Sequence, residues 1–205
     1  MLRRIATVGL LTALAAVLTT ASVAAAAPGP ARAGTAVSVV RPVTASGVLK
    51  ASYHVTATKR HASCLKSGSE VIRGADRCFA GNFVLDPCWP GRNSAGRYVA
   101  DYCLPAPWSH GVLRVKGAKA HTAGHGRGLW ALQLRSGVRC AFVGGATSVY
   151  HGKRLNFGCP HDRWLVGKPD RSRPTWTIVE VTETAHGPRH AHRVAVAHAW
   201  FGIAG

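Results

Sequence analysis

The acidic and histidine side chains are the groups in this chain that could carry acid–base catalysis. The sequence contains 8 acidic residues and 11 histidines. A glycosidase needs two carboxylates across a cleft, and a ribonuclease-like site combines histidine with acidic or arginine side chains. Three carboxylates are candidates: Glu70, Asp86 and Asp101. Asp86 precedes Pro87, which is typical of a turn residue, and Asp162 adjoins Arg163, which is typical of a surface ion pair.

No catalytic motif selects among these side chains. The sequence has no G-x-S-x-G nucleophile elbow and no H-E-x-x-H zinc motif, and the histidine spacing marks out no pair. A Cys–His thiol mechanism is excluded if every cysteine forms a disulfide. The sequence therefore favours a non-catalytic protein. The alternative is a secreted hydrolase of cell-wall glycan or nucleic acid that uses carboxylate and histidine acid–base chemistry.

Four histidines fall near the C-terminus: His186, His190, His192 and His198. His190 and His192 would share one face of a strand, and two imidazoles on one face can bind a metal ion. No acidic or thiol ligand adjoins them, so a basic tail with adventitious metal affinity is favoured. His121 and His125 form a weaker pair. We predict no metal site and no cofactor.

Six cysteines are present: Cys64, Cys78, Cys88, Cys103, Cys140 and Cys159. An even number of cysteines in an exported chain is typical of a disulfide framework. We predict that all six are oxidised. The short separations favour Cys140–Cys159 and Cys78–Cys88, which leaves Cys64–Cys103 by elimination.

Residues 1–33 have the pattern of a signal peptide. Arg3 and Arg4 form a positive n-region, residues 5–18 form an apolar h-region, and small-residue cleavage sites follow at residues 24–26 and 31–33. The apolar run is too short for a comfortable bilayer span, and no other stretch approaches that length. We expect cleavage, secretion and a mature protein without a transmembrane segment.

Positive charge dominates the composition, with 26 Lys and Arg residues against 8 acidic residues. Removal of Arg3, Arg4 and Arg32 with the signal peptide leaves 23 against 8, a net charge of +15. Such a field attracts polyanions such as nucleic acid, teichoic acid or anionic lipid. An Arg-rich composition that serves only solubility is the alternative.

Much of the basic charge falls in four segments: Lys59–His61, Arg114–Arg127, Lys168–Arg173 and Arg189–Arg193. We predict that Lys168, Arg171 and Arg173 bind the polyanion. Charge alone attracts without selecting, so we predict no specific nucleic-acid target. The expected function is a non-catalytic binding module with affinity for an anionic polymer of the cell envelope.

The mature chain is long enough for one domain with a core. Residues 34–50 carry Pro42 and Gly47 and lack aromatic residues, which predicts a flexible leader with one candidate strand at residues 36–40. Residues 51–184 hold the cysteines and alternating apolar residues, which predicts a disulfide-stapled β-domain. Residues 185–205 form a basic, His- and Ala-rich segment that fits either a strand or a helix.

The clearest local pattern is a predicted hairpin between Gly126 and Cys159. Residues 129–134 and 138–142 partly alternate between apolar and polar, on either side of Arg135-Ser136-Gly137. Glycine can supply the positive φ of a three-residue hairpin loop. With Gly and Pro breaking the other segments, the sequence predicts a mainly antiparallel all-β domain, either a small barrel or a sandwich.

Four stretches share a pattern of cysteines and aromatic residues: RCFAGNFVLDPCW (77–89), WALQLRSGVRCAFVGGAT (130–147), GKRLNFGC (152–159) and PDRSRPTWT (169–177). This pattern resembles a group of exported, cysteine-rich proteins from high-GC Gram-positive bacteria. The resemblance covers roughly residues 60–180. It implies secretion and a single domain, and it implies no catalytic residues.

Overall fold

The computed structural model describes residues 34–65, 69, 71–117 and 127–203, which form β-strands, turns and loops without a helix. The predicted all-β fold is confirmed. Within this part of the chain there is no helix of the length and apolarity that a membrane span requires. The strands are β1 (Ala36–Val40), β2 (His54–Lys59), β3 (Ser63–Leu65), β4 (Asp76–Ala80), β5 (Phe83–Arg92), β6 (Tyr98–Cys103), β7 (Gly111–Val115), β8 (Arg127–Leu134), β9 (Arg139–Phe142), β10 (Val149–Tyr150), β11 (Lys153–Gly158), β12 (Arg163–Asp170), β13 (Thr177–Thr182) and β14 (Arg189–Ile203).

Six of these strands close into a barrel. Their order is β14-β13-β12-β11-β9-β8, and β8 pairs again with β14. All six neighbouring pairs are antiparallel. Closure gives each strand two neighbours, which removes the exposed edges that an open sheet would present. Of the two predicted architectures, the chain adopts the barrel.

Apolar side chains from alternating strand positions fill the barrel. Its buried core consists of Leu132, Leu134, Cys140, Phe157, Leu165, Ile178, Val196 and Ala199. Phe157 meets the half-buried Phe142 edge-on, with ring centroids 5.8 Å apart. A small barrel has an interior just wide enough for side chains to fill, so this cluster stabilises the ring.

A second core cluster joins the barrel to an open sheet of order β2-β7-β6-β5-β4-β3. Trp89 of the open sheet packs against Trp130 of the barrel with ring centroids 5.8 Å apart, and each is 1% exposed. The indole N–H of Trp89 also donates a hydrogen bond to the carbonyl of Ile203, at 2.8 Å. A buried tryptophan with a satisfied N–H contributes both apolar area and orientation, so this contact fixes the open sheet on the barrel.

The prediction that residues 34–50 form a flexible leader is wrong, although the strand predicted at residues 36–40 is present as β1. This strand pairs in parallel with residues 198–202 of β14. Val43 is 1% exposed, and the Gly47 carbonyl accepts a hydrogen bond from the Arg92 amide at 2.9 Å. The partners of this segment lie far away in sequence, so its local composition did not reveal them.

The C-terminal segment belongs to the domain rather than lying outside it. Of the strand and the helix that the sequence left open, the strand is formed. The first half of β14 pairs with β13, and its second half lies between β1 and β8. Val196 and Ala199 point into the barrel core with no exposed surface. The barrel is therefore closed by β14, a strand in the segment that composition had distinguished from the β-domain.

The predicted central hairpin is confirmed as β8 and β9. The amide of Leu134 donates a hydrogen bond to the carbonyl of Val138 at 2.8 Å across the loop. Gly137 has a φ of 87°, a conformation that only glycine adopts without strain.

The prediction that all six cysteines are oxidised is confirmed, as is the Cys140–Cys159 bridge. The other two predicted pairs are wrong, because the bridges are Cys64–Cys78 and Cys88–Cys103.

Strand register explains the error. The hairpin of β4 and β5 turns at Gly81-Asn82, which places Cys78 opposite Leu85 and Cys88 opposite Asp76. Each cysteine instead faces a cysteine on the strand at its other side. Cys78 of β4 is opposite Cys64 of β3, and Cys88 of β5 is opposite Cys103 of β6. Loop length alone therefore gave the wrong partner.

Candidate functional site

Most acidic side chains in the described part of the chain are withdrawn from solvent. Asp76 and Asp101 are fully buried, and Glu180 is 3% exposed. The Asp86 side chain is 7% exposed and accepts hydrogen bonds from Nε and Nη2 of Arg77, at 3.0 and 2.8 Å. The accessible surface that the structure describes therefore carries mostly unbalanced positive charge.

Two irregularities in strand pairing open a cleft in the barrel wall. Residues 167–169 of β12 stand opposite the single residue Ile178 of β13, and Asn156 is an extra residue in β11. The Asn156 side-chain amide donates a hydrogen bond to the carbonyl of Gly167 at 2.9 Å, which joins the two bulges. Bulges turn side chains away from the regular alternation, and here they bring polar side chains to the same cleft.

Cations from three strands line this cleft, which has a volume of about 670 Å³. Lys153 comes from β11, Lys168 from β12 and Arg193 from β14, and His151 lies in the preceding turn. The ammonium groups of Lys153 and Lys168 are exposed and pair with no side chain among the described residues. Both are therefore available to an anion.

One acid, Asp170, also borders the cleft. Its carboxylate accepts a hydrogen bond from the backbone amide of Ser172 at 3.0 Å and lies 3.8 Å from Nη1 of Arg193. The hydrogen bond from Ser172, with a smaller contribution from Arg193, lowers the pKa of Asp170 below its ordinary value. Asp170 is therefore an ionised partner of Arg193 and not a proton donor at neutral pH.

The end of β12 and its connection to β13 hold the three residues that the sequence predicted for polyanion binding, with Lys168 in the strand and Arg171 and Arg173 in the connection. Lys168 lies between the large cleft and a neighbouring depression of about 530 Å³. Arg173 borders a third depression of about 340 Å³, which it shares with Arg193. Arg173 is exposed, and its charge acts on Asp170 with a smaller effect than that of Arg193. We refer to Lys153, Lys168, Arg173 and Arg193 as the cationic face.

Arg171, the third predicted residue, has a different environment. Its guanidinium lies 4.5 Å from the ring centroid of Trp176 and 5.1 Å from that of Phe201. Such cation–π contacts stabilise the position of the side chain. Arg171 therefore packs the β12–β13 connection onto the barrel, and a substitution there would change stability as well as charge.

The sequence reasoning missed the β10–β11 turn. His151 and Gly152 have φ values of 46° and 72°, as in a two-residue hairpin loop with both central residues left-handed. This tight turn presents Lys153 to the cleft. Arg154 next to it donates hydrogen bonds to the carbonyls of Val143 and Gly145, at 2.5 and 2.6 Å. The sequence signal for this turn is His151-Gly152-Lys153-Arg154, in which a glycine suited to a tight turn is followed by two cations.

Of the other predicted basic segments, Arg193 is the residue that borders these depressions among those that the structure describes. Lys59 ends strand β2 of the open sheet, with its ammonium 4.9 Å from the ring centroid of Phe83. Arg114 is half-buried in β7. Most of the segment from Arg114 to Arg127, including His121 and His125, lies outside the described residues.

The carboxylates considered for hydrolysis do not form an exposed pair. Asp86 is held by Arg77 and by the Ser69 hydroxyl, which lies 2.5 Å from Oδ1. Asp101 is fully buried and accepts a hydrogen bond from the Tyr98 hydroxyl at 2.9 Å. Glu70 lies outside the described residues. Asp86 and Asp101 therefore cannot act directly on a polymer at the surface.

Two interpretations of acidic residues from the sequence are wrong. Asp86 lies within strand β5 rather than in a turn. Arg163 pairs with the buried Glu180 of β13 at 3.2 Å, and not with its sequence neighbour Asp162. Both true partners are brought near by strand pairing, which adjacency in sequence does not show.

The C-terminal histidines do not gather around one point. His190 has a left-handed φ of 55° at a bulge in β14, which interrupts the alternation that a shared face with His192 required. His198 lies 2.9 Å from the Ser38 hydroxyl and stacks on Trp200 at 4.2 Å. Among the described residues, the groups of three potential ligand atoms all include disulfide-bonded cysteines.

Comparisons of the chain with protein-family models, with curated proteins and with solved structures give no match. The resemblance to exported six-cysteine proteins therefore stays a prediction.

Proposed function

We propose that the protein is an exported, non-catalytic binding module that holds a phosphate-bearing polymer of the cell envelope on its cationic face. One observation carries this proposal: four cations from three segments border three adjoining depressions, whereas the described acids are mostly buried. The net positive charge of the whole chain would attract the polymer, and the fixed positions of these cations would hold it.

The geometry suits a flexible chain of regularly spaced anions. Lys168 borders two depressions and Arg193 also borders two, so the three depressions neighbour one another along the face. A polymer lying along them could place successive phosphates beside successive cations. Each neutralised phosphate releases condensed counterions, which favours binding at low salt. Asp170 interacts with Arg193 and more weakly with Arg173, and it leaves the charges of Lys153 and Lys168 available to the polymer.

The test measures binding to purified cell wall, with and without its anionic polymer, over a range of salt concentrations. Binding is expected to require the polymer and to weaken steeply with salt. Reversal of three cations should reduce the slope of log affinity against log salt by about 2 to 3, taking the value of about 0.9 per phosphate known for DNA. The triple variant is Lys153→Glu, Lys168→Glu and Arg173→Glu.

A matched control reverses three exposed arginines outside the cationic face: Arg60→Glu, Arg73→Glu and Arg97→Glu. Both variants lose the same net charge, so only a localised site predicts that the first loses more affinity. Equal losses would contradict the assigned face. Binding that ignores salt and polymer removal would contradict the function and indicate an apolar or carbohydrate-stacking contact. Release of cleaved polymer would support the hydrolase alternative.

A further inference from the structure

Two of the disulfides lie side by side in the open sheet. Cys64 and Cys78 occupy directly opposite positions of β3 and β4, and Cys88 and Cys103 do so in β5 and β6. The sulfur of Cys78 lies within 4.8 Å of both sulfurs of the second bridge. These residues pack in one cluster with Ala62 and Val115, so four sulfurs meet in an apolar environment that excludes most solvent.

The two bridges differ in access to solvent. Cys64 is half-buried, whereas Cys78 and Cys88 are fully buried and Cys103 is 2% exposed. A thiolate exchanges with a disulfide by direct attack on one sulfur, so accessibility decides where attack begins. An external thiol can therefore reach this cluster through Cys64.

A buried carboxyl group adjoins the entry bridge. A carboxylate oxygen of Asp101 lies within 4.8 Å of the sulfurs of Cys64 and Cys78. Oδ2 accepts the hydrogen bond from Tyr98, and Oδ1 has no hydrogen-bond partner in the described structure. Asp76, on β4, is the other charged group buried nearby, since its charge acts on Tyr98. Burial raises the pKa of Asp101 to about 6, against the opposing effect of the Tyr98 hydrogen bond.

We propose that the four sulfurs form a thiol–disulfide exchange site that accepts electrons from a small thiol at Cys64 and passes them to Cys88–Cys103. The thiolate attacks the Cys64 sulfur, forms a mixed disulfide and releases Cys78 as a thiolate. That thiolate attacks Cys88, forms Cys78–Cys88 and releases Cys103, which takes a proton from solvent. A second external thiol then releases Cys64 as a thiol and leaves as the oxidised dimer.

Asp101 controls the first of these steps. In its protonated form the carboxyl group can donate a hydrogen bond to the departing Cys78 thiolate, whereas an ionised Asp101 would repel it. An Asn side chain at this position offers an amide donor at every pH. The Asp101→Asn variant is therefore expected to exchange at the wild-type rate below the pKa of Asp101. Above that pKa it should exchange more than about tenfold faster than wild type, because a like charge this close is strongly unfavourable.

The experiment exposes the folded protein to glutathione, traps thiols by acid quenching and alkylation, and maps the linked peptides by mass spectrometry. The expected sequence is a glutathione adduct at Cys64, then a Cys78–Cys88 linkage with a free Cys103, while Cys140–Cys159 stays closed. Cys159 of the barrel bridge is also half-buried, but a mixed disulfide there is reversed when Cys140 attacks it. Intramolecular attack of Cys78 on the adjacent bridge should therefore make the Cys78–Cys88 linkage accumulate more than about tenfold faster than any opened form of the barrel bridge. Near-ultraviolet circular dichroism monitors folding throughout.

Opening of all three bridges together, with loss of the near-ultraviolet signal, would overturn the proposal, since exchange would then follow unfolding. A stable adduct at Cys140 or Cys159 that accumulates before the Cys78–Cys88 linkage would overturn it as well. A Cys64→Ser variant gives a second readout, because it leaves Cys78 as a thiol beside an intact bridge. The expected product is a new bridge from Cys78 to Cys88 or Cys103, whereas a stable Cys78 thiol with Cys88–Cys103 intact would contradict the exchange step.

Discussion

At the scale of single residues, the protonation of Asp101 makes the stability of the protein depend on pH. Its side chain is fully buried and bonded to Tyr98. Removal from water disfavours the charged form, which is why burial raises its pKa from 3.8 to about 6. The same burial, with the nearby Asp101 charge as the next cause, raises the pKa of Tyr98. In the unfolded chain Asp101 ionises at a lower pH than in the folded protein.

This difference predicts a stability contribution with a definite sign. Between about pH 4 and pH 6 the folded state binds more protons at Asp101 than the unfolded state, so the free energy of unfolding should fall as pH rises. The loss through this residue is on the order of 3 kcal/mol, for a pKa shift of about two units. Urea unfolding of wild type and Asp101→Asn over this range checks it, because only wild type should show this loss. Parallel stability curves for the two proteins would contradict the prediction.

The sequence identified the cysteines correctly, because their chemistry depends on residue type: an even number of cysteines predicted complete oxidation. The interpretation of Asp86 failed, because its partner, Arg77, is set by packing. The contact of Arg171 with Trp176 is also set by packing, and polyanion binding by Lys168, Arg171 and Arg173 stays a prediction. A residue type predicts what a side chain can do, and the fold decides what it meets.

At the scale of elements, two glycines on neighbouring strands let the connection between β3 and β4 approach the barrel. Gly128 of β8 and Gly202 of β14 are directly paired. A Cβ atom on Gly128 would lie 1.3 Å from the carbonyl oxygen of Val71, and one on Gly202 would lie 1.8 Å from Cδ1 of Ile72. Neither position has room for a side chain, so residues 71–72 pack directly on the barrel backbone.

The two glycines predict alanine substitutions of unequal cost. Gly128→Ala should lower the free energy of unfolding by about 3 kcal/mol or more, because the obstructing atom is backbone. Gly202→Ala should cost about 1–3 kcal/mol, because it meets the far end of the Ile72 side chain, which can rotate. Denaturant unfolding of both variants measures the order. A smaller loss at Gly128 than at Gly202 would show that residues 71–72 do not hold the close approach described.

The elements that could be predicted were those defined within a short stretch of chain. The hairpin of β8 and β9 is local, and its alternation and Gly137 specify it. The parallel pairing of β1 with β14 joins the two ends of the described chain, and no local pattern encodes it. The cysteine pairs failed for a related reason, since the register of β4 against β5 shifts Cys78 away from Cys88.

At the scale of the whole molecule, charge and core are separated. Barrel closure and the Trp89–Trp130 contact bury the apolar residues, and several acids are buried with them. Composition predicted the positive field but could not predict that buried acids would leave the surface more positive than the net charge suggests. Closure of the barrel was also beyond composition, because a barrel and a sandwich require the same alternation of apolar and polar residues.

This separation predicts that salt stabilises the fold. Exposed cations with few acidic neighbours repel one another in the compact state, and added salt screens that repulsion. The Tm should therefore rise as sodium chloride increases from about 0.01 M to about 0.15 M, where the Debye length falls from about 30 Å to about 8 Å. The Lys153→Glu, Lys168→Glu and Arg173→Glu variant should show a smaller rise, because its surface repulsion is already reduced. Calorimetry at several salt concentrations measures both proteins. A wild-type Tm that falls with salt would mean that exposed ion pairs contribute more to stability than like-charge repulsion removes. That result would contradict a surface on which exposed cations have few acidic neighbours.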